Sequence, residues 1–141
     1  MRIMAIDYGD AHTGIAISDP TGLLAGYTTV IDGYRPESVA ERIAALAREH
    51  GVEELVLGYP KNMDGSLGPR AEKAETMAAL LRETTALPVV LWDERRTTID
   101  AHQILQNSGK NARQRKKVVD AVAASLILEG YLTYWKSHPE E

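Results

Sequence analysis

Three apolar runs follow one another within the first 30 residues, with no space between them for a helix. Residues 2–7 read as a buried strand, and Gly14 to Ser18 and Leu23 to Val30 as two more. Tyr8–Thr13 is a short link, and Asp19-Pro20-Thr21-Gly22 has the residue types of a turn. Strands joined this tightly pair antiparallel. The period then changes. Pro36 opens a helix whose Val39, Ile43, Leu46 and Ala47 recur three and four apart, and Gly51 stops it. Leu55-Val56-Leu57 is a fourth strand. Pro69 opens a second helix with Met77, Leu80 and Leu81 on its apolar side, and Pro88 precedes a fifth strand ending at Asp93. Thr97-x-x-Asp100 has the form of a capping box for a short third helix, and a last helix runs from about Arg113 to Tyr134. Strands four and five follow helical crossovers and so run parallel to the first. The expectation is an α/β fold: a mixed five-stranded sheet, three antiparallel then two parallel strands, flanked by helices.

A chain of 141 residues is long enough for one substantial core and too short for two, so residues 1–141 read as one domain with a frayed acidic tail over 136–141. The absence of cysteine excludes disulfides, thiolate metal sites and a cysteine nucleophile. Asp7 comes too early for a signal peptide, and no uncharged run approaches the roughly 20 residues needed to cross a bilayer. These features fit a cytoplasmic protein with no membrane partner.

Three carboxylates lie in apolar settings. Asp7 ends the first strand, Glu94 follows the fifth, and Asp120 interrupts a helix that is otherwise apolar nearly all round. A carboxylate near a core is costly unless it is paired or binds a cation. Each has a plainer explanation. Asp7 could start a turn, Asp93 and Glu94 could favour a helix N-terminus, and Asp120 could pair with Lys116 or Lys117 one turn away. Three converging together point instead to a divalent metal site and phosphodiester chemistry. Hard oxygen donors suit Mg²⁺ or Mn²⁺. The histidines at 12, 50, 102 and 138 lack zinc-ligand spacing, and no Gly-x-Ser-x-Gly elbow is present. Asp120 shares a helical stripe with Ala124, Ile127 and Tyr131, and small Ala123 and Ala124 permit close packing on the sheet.

The net charge of −4 argues against a nucleic-acid partner until its distribution is considered. Arg95, Arg96, Lys110, Arg113, Arg115, Lys116 and Lys117 face a single acid, Asp100, within one stretch. That stretch is either a phosphate grip or a solvated charged surface. The long loop Gly58–Pro69 is a second candidate phosphate contact, through Lys61 and Ser66, or else a surface turn built on Asp64-Gly65.

These residues carry a family resemblance that spans about residues 2–134. Asp7-Tyr8-Gly9 with Gly14-Ile15-Ala16 comes first, then Gly58-Tyr59-Pro60 through Asn62-Met63-Asp64-Gly65-Ser66 and Gly68. Asp93-Glu94-Arg95 with Thr97-Thr98 follows, and Asp120-Ala121 through Ala123-Ala124 and Ile127-Leu128 closes the series. Together they resemble the YqgF/RuvX family of Holliday-junction-resolvase-like nucleases of pre-16S ribosomal RNA. The resemblance implies an RNase H-like fold, a bacterial cytoplasmic protein, and metal-assisted hydrolysis at two Mg²⁺ or Mn²⁺ ions roughly 4 Å apart. It implies Asp7 as the bridging ligand, with Glu94 (or Asp93 in its place) and Asp120 completing the site. The implied partner is RNA, branched DNA or both, bound by a monomer or homodimer. In one respect the chain departs from the pattern: a Lys-Arg pair usual in the family is replaced by Ala11 and His12.

Two other classes share parts of this pattern. A nucleic-acid-binding or ribosome-associated module with the same fold would bind without cleaving. Actin-like ATPases and sugar kinases also carry Asp-x-Gly on a first strand, but they need two such domains around a nucleotide.

Overall fold

The computed structural model describes residues 1–19, 21, 25–60, 67–93 and 112–137, and within the last range the side chains of 121–134 only. The run Ile3–Asp7 forms β1 and is buried at every position, as a strand covered on both faces must be. It is followed by β2 (His12–Ser18), β3 (Ala25–Asp32), α1 (Pro36–His50), β4 (Glu54–Tyr59), α2 (Pro69–Thr85), β5 (Val89–Asp93) and α3 (Ala112–Ser137). The sheet order is β3-β2-β1-β4-β5. β1 pairs antiparallel with β2 and β2 with β3, whereas β1–β4 and β4–β5 are parallel. This is the mixed sheet that the short early links and later helical crossovers require.

Strand alternation splits the core in two. Met4, Ile6, Ile15, Ile17 and Leu57 face α1 and α2, where Ile43, Met77 and Leu81 close over them. Ile3, Ala5, Ala16 and Val56 face the other way and are covered by Ala124, Ile127, Leu128 and Tyr131 of α3. The expected stripe Ala124, Ile127 and Tyr131 therefore does press on the sheet, and Ala123 and Ala124 are both fully buried.

The helix ends follow their local chemistry. Gly51 adopts φ 66°, its N–H bonds the Arg48 carbonyl, and the Val52 N–H bonds the Ala47 carbonyl, so two otherwise orphaned acceptors are satisfied. α2 ends on Ala86 at φ 58°, a left-handed position held by a residue that pays for its Cβ there.

Several element boundaries differ from the sequence reading: β1 begins at Ile3, and β4 runs on to Tyr59, so Gly58 and Tyr59 belong to the strand and not to the loop before α2. β2 begins two residues earlier, at His12, and β3 reaches Asp32. Pairing of His12 with Asp32 extends both strands past their apolar portion. β4 begins at Glu54, a charge that hides the strand start but is buried and accepts a hydrogen bond from the Tyr131 phenol of α3. α3 continues to Ser137, so residues 136 and 137 of the expected frayed tail are helical instead. The helix expected at Thr97 and the tail at 138–141 lie outside the described residues.

Candidate active site at the carboxyl end of the central strand

β1, β4 and β5 are parallel and end together at Asp7, Tyr59 and Asp93. This is the end of an open α/β sheet where ligands bind. Asp7 is buried, with only 9% of its surface exposed. Alternation places it with Ile3 and Ala5, on the face that α3 covers. In the β1–β2 register it stands opposite Gly14, and the β1–β4 register, carried one residue past Ile6–Leu57, sets Gly58 on its other side. Both cross-strand neighbours of this carboxylate therefore lack side chains. Neighbours on the same face of a sheet ordinarily fill that space, and glycine within a strand marks where a ligand or another backbone approaches.

Asp120 lies on α3 four residues before Ala124, one turn along the stripe that packs on Ala5 and Ala16. Its side chain is outside the described residues. Asp93 pairs in register with Tyr59 and follows the parity of Val89 and Leu91, which face α2. Its strand position thus belongs to the face opposite Asp7. Glu94, Arg95, Arg96, Lys110, Lys61 and Ser66 lie outside the described residues. Arg113, Arg115, Lys116 and Lys117 belong to the first turns of α3, without described side chains. Among the described residues no three His, Asp or Glu side chains stand close enough together to hold a metal ion. The structure brings the Asp7 strand end and the α3 stripe onto one face.

Beyond Asp7 the chain turns tightly. A Cβ on Gly9 would lie 2.4 Å from the His12 carbonyl oxygen, so this link cannot hold a larger residue without shifting backbone. The Gly33 N–H donates to the Ala11 carbonyl at 2.9 Å and ties the link to the end of β3. His12 Nδ1 lies 2.6 Å from Asp32 Oδ1, and Lys73 Nζ donates to Asp10 Oδ1 at 2.7 Å. Residues 8–12 and the α2 side chains Arg70 and Lys73 enclose a cavity of about 310 Å³. Burial first, and then Asp10, raises the Tyr8 phenol above the usual tyrosine range; Lys73 opposes them and Glu37 adds to the rise. Tyr59, at the end of β4, is also raised, chiefly by the hydrogen bond it donates to Glu75.

Arg70 and Lys73 escaped notice in the sequence because they belong to no charge run. For Arg70 a signal was available, since a cation in the first turn of a helix opposes its macrodipole and needs some other reason to be there. The isolated glycines Gly14 and Gly58 were legible as motif members, but their placement on either side of Asp7 needs the register.

Two kinds of known protein are similar to this chain. A sequence from Halothermothrix orenii named "Putative pre-16S rRNA nuclease" is 48% identical over 134 residues, covering 95% of this chain and 96% of the relative. One of the same name from Geobacillus kaustophilus is 46% identical over 134 residues, covering 94% and 97%. Among solved structures, Thermus thermophilus RuvC in complex with a Holliday junction substrate superposes with TM-score 0.62 at 12% identity, covering 97% of this chain and 96% of that one. The fowlpox virus resolvase with Holliday junction DNA gives 0.58 at 12% identity, covering 95% and 98%. At such identities the structural likeness establishes the fold, which is the RNase H-like fold of these resolvases. The model of the RuvX family, described as Holliday junction resolvase, matches residues 1–134, and the chain belongs to that family.

Proposed function

We propose that this protein is a divalent-metal-dependent nuclease that hydrolyses phosphodiester bonds in structured nucleic acid, with Asp7, Glu94 and Asp120 as its ligand set. The observation that carries the reading is Asp7 itself: a buried carboxylate at the carboxyl end of the central strand, flanked by Gly14 and Gly58, on the face covered by the helix that bears Asp120. Glycine at both cross-strand neighbours of Asp7 suits close approach of a cation and a nucleic-acid backbone, and an all-carboxylate donor set suits Mg²⁺ or Mn²⁺. Glu94 is preferred to Asp93 because Asp93 belongs by strand parity to the α2 face, opposite Asp7.

Bound divalent cations supply the positive charge that activates water and stabilises the leaving oxygen in phosphodiester hydrolysis. The chain's own part is to hold its carboxylates in place. Asp7 is fixed by a strand paired on both sides, and Asp120 by a helix anchored through Ile127, Leu128 and Tyr131. Arg95, Arg96, Lys110, Arg113, Arg115 and Lys116 are the cations proposed to grip phosphates, with Lys61 and Ser66 of the loop before α2. Precursor ribosomal RNA and branched DNA are the two substrate classes that the relatives' names suggest. No helix among the described residues is long and apolar enough to cross a membrane.

The test is a cleavage panel of structured RNA, single-stranded RNA, single-stranded DNA and a four-way DNA junction, each with Mg²⁺, Mn²⁺ or EDTA. Cleavage by the wild type that EDTA stops, and that Asp7→Asn and Asp120→Asn each reduce by about 10²-fold or more, is expected. Full activity in either variant would remove that residue from the site. Binding without cleavage in any metal would leave a binding module.

A further inference from the structure

The cavity beyond Asp7 is lined by cations from a helix that no motif placed there. Resting on the nuclease reading above, we propose that this cavity binds a backbone phosphate of the nucleic acid beside the scissile bond, with Arg70 and Lys73 as its contacts. Its walls are residues 8–12 on one side and the first two turns of α2 on the other. Arg70 and Lys73 are three residues apart, so they share one helical face. Ala11 puts no long side chain into the space, and His12 is engaged by Asp32 at 2.6 Å. The cations lining the cavity therefore come from α2.

The position suits a strand already held at Asp7. β1 ends at Asp7 on the α3 face, and the cavity begins at the next residue, Tyr8, which packs on the α2 face. Nucleic acid crossing the carboxyl end of the sheet would meet one and then the other. Gly9 keeps the crossing low, since even a methyl group there would collide with the His12 carbonyl.

In the free protein Lys73 is bonded to Asp10, with side chains 54% and 76% exposed. Exposed pairs of this kind hold weakly, so a phosphate can take the lysine from the carboxylate. Asp10 is then a competitor of the ligand, and that distinguishes the phosphate site from a simple tie between the link and α2.

The experiment measures binding of fluorescent structured RNA and of a four-way DNA junction by Asp7→Asn protein across a salt series. Two further variants are made in that background: Arg70→Gln with Lys73→Gln, and Asp10→Asn. The double variant is expected to bind about tenfold more weakly near 0.1 M salt, with the slope of log affinity against log salt reduced by about 1 to 2, at an unchanged Tm. Asp10→Asn is expected to bind more tightly. If both variants weaken binding equally, Lys73 and Asp10 act only as a structural tie and the proposal fails. If the double variant matches its parent in affinity and slope, the phosphate site is overturned while the parent's binding leaves the nuclease reading standing. If the parent binds neither nucleic acid, both readings fall together.

Discussion

Asp7 stands directly opposite Gly14 in the antiparallel register of β1 and β2. With Gly58 on its other flank, this buried carboxylate has no side chain beside it on either neighbouring strand. A β-branched or aromatic residue at either position would suit a strand better. The preference for glycine therefore calls for a cause outside strand stability, and close approach of a ligand to Asp7 supplies one.

Gly14→Ala is the smallest test of that clearance. The added methyl group falls on the face Asp7 occupies, within the 4.5–5.5 Å typical of cross-strand Cβ atoms. Cleavage is expected to drop by about 10²-fold, the scale of a 1 Å displacement at a reacting centre, with the far-UV circular dichroism spectrum retained. Wild-type turnover in a folded variant would show that the space beside Asp7 has no part in the reaction.

Ala124 sets how close α3 lies to the sheet, and Asp120 is one turn away along the same stripe. Ala124→Leu would overpack a fully buried site, at a cost of about 1–3 kcal/mol, and would lift the start of α3. Ile127→Val, in the same cluster, trims one methyl group for about 0.5–1.5 kcal/mol without lifting the helix. Urea melts and initial rates, measured on both, should separate the two effects. Ala124→Leu is expected to lose far more activity than its stability change explains, whereas Ile127→Val keeps its rate. Equal rates in the two would mean that the height of α3 does not govern the site.

The fold was legible because its signals are local. The short Tyr8–Thr13 link dictates an antiparallel pair, Pro36 and Pro69 open helices at their first positions, and Gly51 closes one by taking φ 66°. Glu54 misled at the edge of β4 because its partner, Tyr131, is 77 residues away, and no local pattern announces such a bond. Asp7 and Asp120 stood out as charges in apolar runs. The flanking role of Gly14 and Gly58 depends on pairing register, and the cavity cations Arg70 and Lys73 on where α2 lands, both of which are tertiary facts.

Ala86 ends α2 in the left-handed region, where an L side chain costs roughly 1–2 kcal/mol and glycine costs nothing sterically. The greater freedom of glycine in the unfolded chain offsets part of the gain. Ala86→Gly is expected to raise stability by about 0.5–1 kcal/mol, seen as a higher urea midpoint at constant m-value, with cleavage untouched. A lower midpoint would show that the methyl group contributes more by packing than it costs in backbone strain.

Tyr8 ties the site to alkaline pH. Its phenol is raised in the folded protein, first by burial and then by Asp10. Below the ordinary tyrosine value of 10.0 both folded and unfolded chains keep the proton, and Tyr8 contributes no pH dependence. Above it the unfolded chain ionises first, so stability is lost as pH rises through the folded value. Tyr8→Phe removes that loss. The Tm of the wild type relative to Tyr8→Phe is therefore expected to be constant from pH 7 to about 9 and to fall progressively from pH 10 upward. A constant difference through pH 11 would mean that the Tyr8 phenol ionises as easily in the folded chain as in the unfolded one, and that the wall of the cavity at Tyr8 is wet.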